Sequence, residues 1–122
     1  MIREGKRPAG LNRLRLATLN SLRGLRHCYL SEAAFRQEVW LAAVLVPAAF
    51  WVGENSVERV LLIGSMMAVL IVELLNTGIE VVVDRIGMEH NHLSGFAKDL
   101  GSTAVLFSLV LLLLTWGLVL FD

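Results

Sequence analysis

The chain has one cysteine, two prolines and no formal net charge over its 122 residues. Lone Cys28 can form no intrachain disulfide and no cysteine metal cluster, so it reads as a small buried or interfacial side chain. No nucleic-acid partner is expected. The first thirty residues lack a continuous apolar core followed by a small-residue cleavage site, and no cleavable signal peptide is expected. Also missing are a Gly-x-x-x-x-Gly-Lys-Ser/Thr loop and the protein-kinase set of motifs. If the chain binds a nucleotide, it does so without the usual signatures.

Apolar sequence is abundant. Hydrophobic residues make up 56% of the chain, and the mean hydropathy is +0.65. That is too apolar for a soluble domain of this size and points to an all-α integral membrane protein. About three spans fit, with no room for a separate soluble catalytic domain. The spans are expected over about residues 32–53, 57–84 and 98–121. Residues 39–53 are uncharged but short, so the first helix should start earlier, within Glu32-Ala-Ala-Phe-Arg-Gln-Glu38. Pro47 would remove one of its backbone hydrogen bonds. The second span is longer than the roughly 30 Å of hydrocarbon, so one end should protrude. Gly87 and Gly95 flank the next link and are expected to end helices.

Eight of the eleven Lys and Arg residues precede residue 37, which places the N-terminus in the cytoplasm. The link around Gly53–Arg59 then faces outward, the link from Asp84 to Asp99 returns to the cytoplasm, and the C-terminus is periplasmic. Trp51 and Trp116 fall near the outer interface, which suits indole rings. Ahead of the first span, over about residues 10–30, Leu11, Leu14, Leu22, Leu25 and Tyr29 share one helical face. Arg13, Arg15, Arg23 and Arg26 are interleaved with them. This pattern predicts an amphipathic helix lying in the membrane surface.

The most telling segment is Glu73-Leu-Leu-Asn76-Thr-Gly-Ile-Glu80-Val-Val-Val-Asp84. At about 100° per residue, with Glu73 at zero, Asn76 falls near −60°, Glu80 near −20° and Asp84 near +20°. All four polar side chains project from one side. Each carboxylate costs roughly 2.5–3.5 kcal/mol to insert, and a simple anchor would not carry them aligned. The pattern predicts a functional site at the cytoplasmic edge of a bundle.

Its chemistry can be read from residue type. Magnesium prefers oxygen ligands and binds through one or two carboxylates plus substrate phosphates. Glu32 and Glu80 could supply those carboxylates, and Lys98 and Arg13 could neutralise phosphate. Glu73 lies deeper and is partly desolvated, which suits a general base better than a metal ligand. Asn76, one turn away, can orient a ligand or hold Glu73. A hydroxyl at membrane depth beside Glu73, with a phosphate donor at the boundary, is the arrangement a lipid kinase needs.

Three stretches carry a family resemblance: Glu32-Ala-Ala-Phe-Arg-Gln-Glu38, the segment from Glu73 through Asp84-Arg-Ile-Gly87, and Leu93-Ser-Gly-x-Ala-Lys98-Asp99-x-Gly-Ser102. With them the chain resembles the bacterial integral-membrane diacylglycerol kinases over about residues 11–122. Gly78 stands where that pattern has Ala or Ser, and is still small. The resemblance implies one kinase domain over 1–122, in a homotrimer of three-span subunits with a surface helix, in the inner membrane. It implies transfer of the γ-phosphate of MgATP to diacylglycerol, giving phosphatidic acid. Glu73 would be the general base, with Asn76 beside it. Glu32 and Glu80 would hold the magnesium. Arg13, Glu32, Glu80, Glu89, His90, Lys98 and Asp99 would contact ATP. Arg13, Ala34, Glu38, Glu73 and Ser102 would lie along the lipid.

Three other functions compete. A proton-coupled multidrug transporter could be this small and hold a membrane glutamate. Three spans, however, give no inverted pair of helices for alternating access, and the polar residues crowd one boundary. A non-enzymatic membrane adaptor is the second. A kinase acting on undecaprenol is the third; the long N-terminal helix and full last span look more like the diacylglycerol type.

Overall fold

In a computed structural model of the chain, which describes residues 9–87 and 91–122, every regular element is a helix. These are α1 (Gly10–Ser31), α2 (Ala33–Val52), α3 (Ser56–Ile86) and α4 (His92–Phe121). The chain forms two compact units, one ending at Ala33 and the other running Ala34–Asp122.

The first unit is essentially α1. The helix opens at Gly10 with a φ of +62°, in the left-handed region that glycine adopts without penalty. Along it, the Thr18, Ser21 and Ser31 hydroxyls donate to the carbonyls of Leu14, Ala17 and His27, four residues back. Leu11, Leu14, Leu22 and Leu25 are exposed, as are the interleaved arginines. The helix closes where Glu32 turns extended and its N–H donates to the Cys28 carbonyl at 2.9 Å.

In the second unit, α2, α3 and α4 are each long and apolar enough to cross a membrane. α2 starts at Ala33, within the stretch expected from sequence, and continues through Pro47 to Val52. α3 and α4 each reach about 45 Å, more than one hydrocarbon thickness. α3 packs mainly on α4. Their shared core is Met66, Val69 and Leu112, flanked by Leu70, Leu109 and Trp116, with Ala42 and Leu45 added from α2. Most of the remaining apolar surface points outward, including Phe107, Leu113 and Leu118.

The turn between α2 and α3 is tight for a specific reason. A β-carbon at Gly53 would stand 2.6 Å from Arg59 Cγ and 2.8 Å from the Ala49 carbonyl oxygen. Only glycine fits there. Asn55 then caps α3 by accepting from the Glu58 N–H, while a Glu58 carboxylate oxygen accepts from the Glu54 N–H. The first contact satisfies a donor that the first helical turn leaves open, and the second ties down the residue before the cap.

One expectation changes at the other end. α4, which contains the span expected over about residues 98–121, begins at His92, where Asn91 caps it and accepts from the Leu93 N–H at 2.8 Å. Gly95 therefore lies inside the helix, donating to the Asn91 carbonyl, and does not end one. Gly87 does end α3. Trp116 also differs from a free interfacial indole. It is half-buried, and its N–H donates to the Leu62 carbonyl at 3.2 Å, tying α4 to α3. Trp51 is 90% exposed.

Candidate functional site

The site grows out of the buried stripe of α3. Leu62, Ser65, Met66, Val69, Glu73 and Asn76 are all buried, at the three- and four-residue spacing of one helical face. The stripe is apolar where α3 begins and turns polar towards its end. Glu73 is 5% exposed and Asn76 is 8% exposed. Glu80 is half-buried and Asp84 is exposed. The four polar residues read from the sequence as one face are thus graded by depth.

α4 covers the middle of this stripe. A β-carbon at Gly101 would collide with Asn76 Oδ1 and stand 3.1 Å from Asn76 Cγ. The Asn76 oxygen is buried with no hydrogen-bond partner. Glu38, on α2, is half-buried and lies in the field of the Glu73 carboxylate. One Glu38 oxygen is likewise buried without a partner. Unsatisfied buried polar atoms are rare. Among the described residues, the only other such side-chain atom is Arg59 Nε, near the opposite end of α3.

At the shallow end, Lys98 Nζ on α4 pairs with Asp84 Oδ1 on α3 at 2.8 Å. Lys98 also lies in the field of Glu80. Asp99 and Ser102 are exposed on α4. The second unit therefore brings together the buried Glu73 and Asn76 with the half-buried Glu38, and Glu80 with Lys98 at a shallower level. Ala34 is exposed near the start of α2. In the first unit, Arg13 is exposed on α1 and Glu32 is half-buried at its end. Glu89 and His90 lie outside the described residues. No group of three His, Cys, Asp or Glu side chains is assembled to hold a metal ion among the described residues.

Two contributors were not foreseen from sequence. Asp84 had been read only as part of the α3 stripe, and it is the ion partner of Lys98. The one advance signal was their position at opposite ends of a short link. Gly101 had drawn no attention beyond its place in a motif, and it is what admits Asn76 between the helices.

Comparison with known proteins adds to this geometry. The family model described as prokaryotic diacylglycerol kinase matches residues 19–120. A diacylglycerol kinase of Haemophilus influenzae is 46% identical over 112 residues, covering 92% of this chain and 95% of that protein. One from Escherichia coli K12 is 47% identical over 113 residues, covering 93% of each. One from Pseudomonas aeruginosa is 44% identical over 115 residues, covering 94% of each.

Proposed function

The chain belongs to the prokaryotic diacylglycerol kinase family, and on that premise we propose that it transfers the γ-phosphate of MgATP to diacylglycerol, making phosphatidic acid. It is a kinase, and its membrane-length helices fit a lipid acceptor. The observation that carries the finer reading is the depth order on α3. A buried carboxylate and carboxamide, Glu73 and Asn76, lie below a shallower carboxylate, Glu80. An amphiphilic alcohol entering from the bilayer presents its hydroxyl at the first level, and a soluble phosphate donor arrives at the second.

In this mechanism the Glu73 carboxylate takes the acceptor's hydroxyl proton as the alcohol oxygen bonds to the γ-phosphorus. The bond from that phosphorus to the bridging oxygen breaks and ADP leaves. Asn76 and Glu38 line the same buried group and orient the glycerol end. Lys98 and Asp99, with Arg13, Glu89 and His90, meet the nucleotide, and Ala34 and Ser102 flank the lipid. Such a reaction needs positioning and charge neutralisation more than covalent chemistry.

The residues fit magnesium by donor chemistry. They are carboxylates without thiolates, the oxygen donors preferred by a cation that also keeps phosphate and water ligands. Glu32 and Glu80 would hold it. When bound, it would offset the charge on the phosphates.

The proposed setting is the inner membrane, with the arginine-rich α1 on the cytoplasmic surface and the C-terminus periplasmic. The whole chain acts as one kinase domain within a homotrimer. A bundle of three helices shields carboxylates poorly, which favours neighbouring copies.

The test is phosphate transfer from radiolabelled MgATP to short-chain diacylglycerol in detergent, with undecaprenol in parallel. Label in phosphatidic acid is expected. Label in undecaprenol alone would replace the acceptor. No label in either lipid, with the protein shown to be folded, would overturn the reading.

A further inference from the structure

We propose that Gly101 is a positioning residue for phosphate transfer, acting through Asn76. The inference rests on the reading of the Glu73 and Asn76 group as the reaction site. Gly101 is buried on α4, and the space where its β-carbon would stand is taken by Asn76 Oδ1. The glycine hydrogen in that direction points at the carboxamide oxygen, a Cα–H···O contact of the kind seen where helices approach closely. Of the two carboxamide atoms, only Oδ1 is both buried and unpartnered. Its contact with the α4 backbone fixes which end of the carboxamide is turned inward. The amino end remains the carboxamide's hydrogen-bond donor, on a residue one turn from Glu73 in the same buried stripe.

Gly53, in its turn, is also crowded, but the other glycines within the bundle's helices do not share such a constraint. A β-carbon at Gly64, Gly78, Gly95 or Gly117 would meet nothing within 4 Å. The three atoms nearest the would-be β-carbon of Gly101 all belong to one side chain: they are Oδ1, Cγ and Cβ of Asn76, and that Cβ is at 3.8 Å, an ordinary contact distance. Removing the carboxamide while keeping the Asn76 β-carbon should make room for a methyl at 101.

The test is a double-mutant cycle on the full chain in detergent: wild type, Gly101→Ala, Asn76→Ala and both together. kcat, KM for MgATP and the thermal unfolding midpoint are measured for each. Gly101→Ala alone should lower kcat by about tenfold or more, with KM for MgATP changed by less than about threefold. In the Asn76→Ala background the same substitution should change residual kcat by less than about twofold and the midpoint by less than about 2 °C. Where residual turnover is too low to read, the midpoints decide. Equal losses in both backgrounds would assign Gly101 to helix packing alone and overturn the proposal. So would a harmless Gly101→Ala in the wild type. If the wild type transfers no phosphate, the reaction assignment falls by itself, and the midpoints still report whether the two residues are coupled.

Discussion

The carboxamide oxygen of Asn76 fills the space in which a β-carbon on Gly101 would stand. This relationship joins the α3 stripe to the α4 backbone at the level where the stripe turns polar. Above it the α3–α4 interface is held by apolar packing around Met66, Val69 and Leu112, with the Trp116 N–H on the Leu62 carbonyl. Below it the interface is held by the Lys98–Asp84 ion pair. The buried polar group lies between two regions that need no ligand to be satisfied. That leaves Glu38 and Asn76, each with an unpartnered buried oxygen, as the part of the unit suited to binding.

Glu73→Gln should abolish phosphate transfer by a factor of about 10² to 10⁴, the usual contribution of a general base. It keeps the size and shape of the side chain, but it exchanges one acceptor oxygen for a donating amino group and cannot accept the proton. Because Glu73 is buried and Glu80 is shallower, affinity for MgATP should stay within about twofold. Equilibrium binding beside steady-state turnover separates the two effects. Loss of nucleotide binding would remove the base assignment.

Glu80→Gln and Glu32→Gln should have the opposite signature. On the proposed assignment each would lose a charged oxygen for the metal, so binding of MgATP should weaken by about tenfold or more, the scale of one charge-assisted contact. Raising magnesium should partly restore turnover. Unchanged affinity for the complex would exclude both residues as metal ligands.

Gly53→Ala should destabilise the protein without touching the chemistry. The new methyl would press on the Ala49 carbonyl oxygen at 2.8 Å and on Arg59 Cγ at 2.6 Å. The arginine stem can move, but the carbonyl belongs to the last turns of α2 and cannot. A cost of about 1–3 kcal/mol is expected, as for overpacking in general. It should be seen as a lower unfolding midpoint with KM for MgATP unchanged. An unchanged midpoint would mean that the turn relaxes freely.

The helices were legible because long apolar runs are interrupted only by capping and turn residues. α2 starts inside the predicted Glu32–Glu38 stretch, and Gly87 stops α3 as expected. The Glu73 stripe was legible because helical spacing alone aligns residues 73, 76, 80 and 84. What spacing cannot show is which neighbour covers that face. A glycine in an apolar run reads the same against lipid as against another helix, so Gly101 was invisible. Gly95 was misplaced because glycine is tolerated inside a long helix once Asn91 has supplied the cap. Trp116 suits either a headgroup or a buried carbonyl by its amphipathic chemistry, so its bond to Leu62 could not be foreseen from residue type. The roles of Arg13 and Glu32 stay with the first unit, and Glu89 and His90 lie outside the described residues.

Lys98 and Asp84 allow a structural lysine to be told from a substrate-binding one. Their side chains are 42% and 59% exposed, and exposed ion pairs contribute little to stability. Asp84→Asn should therefore shift the unfolding midpoint by less than about 2 °C. It also releases the ammonium, so MgATP affinity should hold or rise. Lys98→Met should likewise leave the midpoint nearly unchanged while weakening MgATP binding by about tenfold, since a charged contact to phosphate is lost. Added salt should narrow that gap, because screening weakens the wild-type contact and has nothing to act on in the variant. If Lys98→Met and Asp84→Asn instead lower the midpoint equally and neither alters affinity, the pair only holds α3 to α4, and the nucleotide's phosphates must be met by other cations of the chain.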